Sequence, residues 1–215
     1  MLQNASEWAT LPVVKHYCQY CPVAHSLDVI GERWSLLIVR DLMGGPKRYT
    51  DLAGGLPGIG TNILASRLKD LEAAGVVHKY RLPPPAASQV YELTEYGREL
   101  KGVLFEMARW GARSLGPPKQ EELHPGWLEG AIRLVGYAAP DCSGRFVFRV
   151  GDEEASLVNG DARPGDVEDP DAVIETDSEG FYHLFVDRDL SRATVTGDRT
   201  AVEQLLGTLP AVELV

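Results

Sequence analysis

Catalytic signatures are what this sequence most plainly lacks. It has no GxSxG nucleophile elbow, no P-loop and no HExxH pair, and the glycines of Gly54-Gly55-Leu56-Pro57-Gly58-Ile59-Gly60 neither follow a strand nor have dinucleotide-site spacing. The expectation is a protein that is not an enzyme and carries no cofactor. Long apolar runs are missing too: the longest aliphatic stretch, Leu36 to Val39, is far short of the roughly 18 residues a membrane helix needs. Met1 to Val14 has neither a basic start nor a continuous apolar core, and Ala211 to Val215 carries no lipidation cysteine, so a cytoplasmic location with no membrane partner is expected. Cysteine is scarce, three in 215 residues, and that odd number does not support a disulfide framework. What is present, 44% hydrophobic and 24% charged residues, is the composition of one large or two ordinary globular domains, which excludes disorder and collagen.

The overall charge of −10 is unevenly spread. Residues 1–115 hold 13 basic against 11 acidic side chains, a net of +2, while residues 116–215 hold 8 against 20, a net of −12. Phosphate would be repelled by the second half, so any nucleic acid must meet the first. Five of the eleven residues from Gly116 to Gly126 are Gly or Pro, a density that cannot continue a helix. The expected division is therefore an N-terminal arm (1–20), a first domain (21–116), a linker (117–126) and an α+β domain (127–215).

The first half reads as helices followed by one hairpin. Helices are expected from Cys21-Pro22 through Val29, over Trp34 to Met43, over Thr50 to Gly54 with Thr50 as cap, and over Thr61 to Ala74, stopped by Gly75. After Gly75 the period becomes two, giving a hairpin around the Pro83-Pro84-Pro85 tip, and Thr94-Glu95-Tyr96-Gly97 opens a long helix seamed by Leu100, Leu104, Met107, Gly111 and Leu115. Helix, helix, turn, helix, hairpin is the order of a winged helix-turn-helix. The fold class expected is a mainly α winged helix-turn-helix domain followed by an α+β domain. At 100° per residue, Leu64, Leu68 and Leu71 share one side of the fourth helix, while Asn62, Ser66 and Lys69 share the other with Ala65 at its flank. That outward face offers an amide, a hydroxyl and one cation to a DNA groove, with Asp70 at its margin.

The blocks Cys21-Pro22-Val23, Gly31-Glu32-Arg33-Trp34, Tyr49-Thr50-Asp51-Leu52, Leu56-Pro57-Gly58-Ile59, Leu64 to Glu72 and Tyr91 to Gly97 resemble HxlR-type transcription regulators. Six ordered blocks over about 95 residues are far more specific than a lone short motif. The resemblance implies a homodimeric repressor whose first and last helices pair across a two-fold axis, with an inverted-repeat operator in double-stranded DNA. It also implies that Thr61, Asn62, Ser66 and Lys69 face bases, that Tyr49, Thr50 and Arg67 touch phosphates, and that His78, Lys79 and Arg81 lie in the wing. Each has a plainer reading: Arg67 paired with Glu72 or Asp70, Tyr49 in the core, a wing cation merely solvated. Gly60 stands where these regulators usually carry a capping Ser or Thr, and Ser88-Gln89 where they often carry Arg or Lys. Fewer phosphate contacts predict a shallow salt dependence.

Cys21 precedes Pro22 at a helix N-terminus, where backbone N–H groups favour a thiolate. A cysteine at this position is the redox-sensing thiol in several members of the resembled family, which makes Cys21 the redox candidate beside the plainer reading of an N-cap or dimer-buried thiol. His16, Cys18, Cys21 and His25 supply four potential zinc ligands within ten residues, but half such a site would have to come from a helix start, and no metal is assigned.

From Trp127 onward a helix, strands Arg145 to Val150 and Glu154 to Asn159, an acidic loop over Gly160 to Ala172, strand Asp171 to Thr176, helix Ser178 to Asp187, strand Arg192 to Thr196 and helix Arg199 to Leu206 make an α+β layer. The segment from Ala172 to Asp198 resembles the C-terminal part of sterol carrier protein type 2-like domains. That likeness implies an apolar pocket enclosed by Phe181, Leu184 and Phe185 for a hydrophobic small-molecule effector; the same residues equally describe a filled core. A lipid carrier whose helical half only dimerises is the competing function.

Overall fold

The computed structural model describes residues 16–119 and 123–210. Most of the expected N-terminal arm, including Met1 to Val14, and the terminal Ala211 to Val215 lie outside the described residues. The chain forms two compact units, residues 1–98 and 99–215.

The first unit contains α1 (Pro22–Ile30), α2 (Ser35–Leu42), α3 (Tyr49–Gly55), α4 (Thr61–Ala73), β1 (Val77–Arg81), β2 (Gln89–Leu93) and α5 (Glu95–Arg98). Its core gathers one face from each: Ile38, Val39 and Leu42 from α2, Leu52 from α3, Leu64, Leu68 and Leu71 from α4, and Val77, Val90 and Leu93 from the hairpin. The strands pair antiparallel with Val77 opposite Leu93 and Arg81 opposite Gln89. Lys47 adds a two-way backbone bridge to Tyr91, which ties the α2–α3 connection to the wing.

Three local expectations change. Trp34 is not helical: it holds φ 82° as the N-cap of α2, with the Arg33 guanidinium 5.2 Å from its ring centre. Thr50 does not cap α3, which starts one residue earlier; Arg48 is the N-cap and its N–H donates to the Asp51 carboxylate at 2.9 Å, the favourable place for an acid in a first turn. The long final helix is broken at Glu99-Leu100 into α5 and α6 (Lys101–Leu115). Its first piece is held by the wing's base: the Thr94 hydroxyl donates to the Gly75 carbonyl at 2.6 Å and accepts from the Gly97 N–H at 3.0 Å. A Cβ on Gly97 would lie 2.1 Å from the Val76 carbonyl oxygen, so only glycine permits that approach.

The second unit holds α6, α7 (Trp127–Ala138), β3 (Arg145–Val150), β4 (Glu153–Val158), β5 (Asp161–Pro164), β6 (Ala172–Thr176), α8 (Ser178–Val186), β7 (Thr194–Gly197) and α9 (Arg199–Thr208). The strands form one sheet in the order β5-β4-β3-β6-β7, parallel between β3 and β6 and antiparallel elsewhere. One sheet face, carrying Phe146, Phe148, Leu157 and Ile174, packs with Leu128 and Ile132 of α7, Leu184 of α8, and Val202 and Leu205 of α9. The side-chain carboxylates of Asp177 and Asp198 cap α8 and α9. The acidic stretch expected to be loop throughout contains β5, a four-residue edge strand ending at Pro164, and its Asp166 pairs with Arg149 at 2.9 Å. Edge strands are commonly short and charged, which erases the alternating pattern that marks a central strand.

Candidate nucleic-acid interface

Helix α4 stands on three leucines: Leu64 and Leu71 are wholly buried and Leu68 is 1% exposed. The opposite side carries Asn62, Ser66 and Lys69 in solvent, with Thr61 exposed in the first turn. The Tyr49 hydroxyl donates to the Thr61 carbonyl at 2.8 Å, so this half-buried ring fastens the start of α4 to α3. Ser66 donates to Asp70 at 3.4 Å. Among the described residues, Asn62 and Lys69 have no side-chain hydrogen bond or ion pair. Thr50 is exposed, with its hydroxyl 3.5 Å from the Asp51 carboxylate.

Arg67 is placed differently. Its side chain is only 18% exposed; one terminal nitrogen meets Asp70 at 2.7 Å and the other Glu32 at 3.1 Å. The guanidinium therefore bridges α4 to the α1–α2 connection and neutralises the acid at the margin of the helix. Spacing of three along a helix makes Asp70 a partner readable in sequence, whereas Glu32, 35 residues away, has no local signature.

The wing places its residues in three settings. Lys79 is exposed, with its ammonium 5.3 Å from the Tyr91 ring centre, a cation–π distance. Arg81 donates from Nε to the Ala87 carbonyl at 2.8 Å, holding the hairpin tip. His78 stacks on Tyr80 at 5.2 Å and lies 3.5 Å from Glu92, which also accepts from Arg98 at 2.7 Å. Desolvation and the Glu92 carboxylate push the Tyr80 phenol up, so it stays neutral. Arg48, an exposed cation at the head of α3, escaped the sequence reading because nothing in its spacing sets it apart from ordinary surface charge.

A family model described as HxlR-like helix-turn-helix matches residues 29–119. YodB of Bacillus subtilis (strain 168), an HTH-type transcriptional regulator, is 38% identical over 98 residues, which span 45% of this chain and 88% of YodB. YybR of the same organism, described as an uncharacterized HTH-type transcriptional regulator, is 38% identical over 93 residues, 42% of this chain and 73% of YybR. The chain belongs to the HxlR-type helix-turn-helix regulators. The solved reduced form of B. subtilis YodB, 36% identical, aligns with 47% of this HxlR-type chain and 100% of its own at a TM-score of 0.40. The HxlR match runs through α6, which by contacts groups with the second unit; the elements from α7 to α9 lie beyond it.

The thiols and the aromatic cluster complete the set of sequence-derived candidates. Cys21 is the half-buried N-cap of α1, followed by Pro22 at the first helical position, and its side chain makes no capping hydrogen bond. Cys18 is exposed, with Sγ 3.5 Å from the His16 carbonyl. His16 lies instead beside Asp28, at 3.3 Å, and among the described residues no three His, Cys, Asp or Glu side chains converge to hold a metal ion. Phe181 and Leu184 sit in the core cluster of the second unit, with Phe185 packed against it. Phe181 meets Phe185 at 4.8 Å and the edge of Trp127 at 5.4 Å, the geometry of a packed aromatic core. No helix among the described residues is long and apolar enough to cross a membrane.

Proposed function

We propose that this HxlR-type regulator is a cytoplasmic, homodimeric repressor that lays α4 of each protomer in the major groove of an inverted-repeat operator. One observation carries the reading: α4 is backed by three buried leucines while Asn62, Ser66 and Lys69 remain in solvent, and its one marginal acid is already neutralised by Arg67. Such a face offers base-edge donors, and Lys69, two turns beyond Asn62 and so away from the end of α4 that meets base edges, is placed on phosphate instead of in the base-facing role the resemblance implies. Thr61 extends the base-facing set, Tyr49 and Thr50 set the helix start near the backbone, and Lys79, Arg81 and His78 give the wing its contacts. Arg67 serves this site by positioning α4.

Dimerisation is supported by the apolar side chains left open on α6 and α1. Helix α6 buries none of its residues, and Val103, Met107 and Trp110 are 44%, 50% and 76% exposed; Val23 and Leu27 of α1 are 68% and 43% exposed. Exposed apolar side chains clustered on one helix mark an association face, and α6 and α1 each present one. Oxidation of Cys21 by a peroxide, which is itself reduced to water, would put a polar sulfenic acid at the head of α1 and so act on the apolar face of that helix. A hydrophobic effector would have to part the Phe181–Phe185 cluster and bind the DNA-competent and incompetent dimers unequally.

Selection of genomic fragments with the purified protein, followed by footprinting, tests the proposal. The expected result is a protected inverted repeat whose binding is weakened by Lys69→Ala and Asn62→Ala. Binding unchanged in both variants would remove α4 from the interface.

A further inference from the structure

Ile63 is the large apolar side chain that α4 leaves in solvent, 44% exposed at the Asp70 margin of the face that carries Asn62, Ser66 and Lys69. The leucines already fill the core side of this helix, so Ile63 is not needed there. Helix propensity does not account for it either, because a β-branched residue loses rotamer freedom in a helical turn. It is the third residue of α4, directly after Asn62 and one turn before Ser66. Gly60, the N-cap, offers no side chain to shield it: a Cβ there would stand 3.8 Å from Ile63 Cγ1.

Residues near the start of a recognition helix are those that reach base edges. The major groove presents hydrogen-bonding groups at every base pair and one apolar group, the C5-methyl of thymine. Resting on the α4 reading above, we infer that Ile63 packs against a thymine methyl and makes this protein prefer thymine at one position of each half-site. Asn62 and Ser66 supply the neighbouring polar contacts, and Ile63 adds a contact to the one apolar group of the groove.

The test begins with selection from randomised duplexes, followed by replacement of each selected thymine with deoxyuridine, which removes only the methyl. Loss of one buried methyl contact corresponds to about a fourfold weakening, so one thymine per half-site should show it with the wild-type protein. Ile63→Ala should bind thymine and deoxyuridine duplexes equally, and Ile63→Val should keep most of the difference. A wild-type protein indifferent to every replacement would overturn the inference while leaving DNA binding by α4 intact. An Ile63→Ala variant as methyl-sensitive as wild type, or one whose only change is a shift from dimer to monomer, would also overturn it. Selection that returns no duplex would overturn the α4 reading itself, and this inference with it.

Discussion

Replacing Lys69 with alanine should flatten the salt dependence of operator binding, whereas replacing Arg67 should not. The two cations are two residues apart on α4, but only Arg67 is held by carboxylates, Asp70 at 2.7 Å and Glu32 at 3.1 Å. Each phosphate neutralised by protein changes the slope of log affinity against log salt by about 0.9. A dimer that loses Lys69 from both protomers should therefore lose ~1.8 from that slope, so that over a fourfold rise in salt its affinity falls roughly 12-fold less than that of wild type. Arg67→Ala should leave the slope unchanged and act on the protein instead. Both partner carboxylates are about half exposed, so each pair carries only the ~0.2–1 kcal/mol of a screened surface contact, and the variant should lose on the order of 1 kcal/mol of stability. Fluorescence anisotropy across a potassium chloride series measures the first effect, and urea unfolding the second. If Arg67→Ala flattened the slope as much as Lys69→Ala, the guanidinium would have to leave its carboxylates for phosphate, and its role as a positioning residue would be refuted.

Gly97→Ala should destabilise the first unit strongly, since its Cβ would meet the Val76 carbonyl at 2.1 Å; a melting temperature equal to wild type would show that the wing base yields. Iodoacetamide at neutral pH should label Cys18 before Cys142, because Cys18 is exposed while burial pushes the Cys142 thiol up; peptide mass mapping gives the order. Asp28 accepts the Tyr17 N–H at 3.0 Å, and that bond, aided by His16, lowers its carboxyl below the ordinary 3.8. A group depressed on folding stabilises above its unfolded value and stops doing so as pH falls through the folded one. The protection of the Tyr17 amide, its exchange measured against the intrinsic rate at each pH, should therefore stay constant down to about pH 3.8 and fall below it; a fall that begins near neutrality would point to another group.

Much of the DNA-binding half was visible in spacing. The leucines at 64, 68 and 71 fixed which side of α4 is buried, and the change to a period of two after Gly75 located the wing. Spacing failed where a neighbour distant in sequence decided the outcome. The seam running from Leu100 to Leu115 gave no warning that the Thr94 hydroxyl would be bonded to the carbonyls of Gly75 and Val76, or that Gly97 would lie close against the latter. Nor did spacing reveal that Glu32 joins Asp70 in holding Arg67.

By itself the sequence determined a helix-turn-helix with a wing, the separation of near-neutral from acidic halves, and a solvent-facing row of Asn62, Ser66 and Lys69. These follow from periodicity and composition, which act over a few residues at a time. Tertiary structure alone decided that Arg67 faces inward to Glu32, that an acidic stretch supplies the edge strand β5, and that Phe181, Leu184 and Phe185 pack together. Those outcomes depend on which surfaces meet across long stretches of chain, and identical local patterns are compatible with either a free cation or a bridging one, a loop or an edge, a hollow or a core.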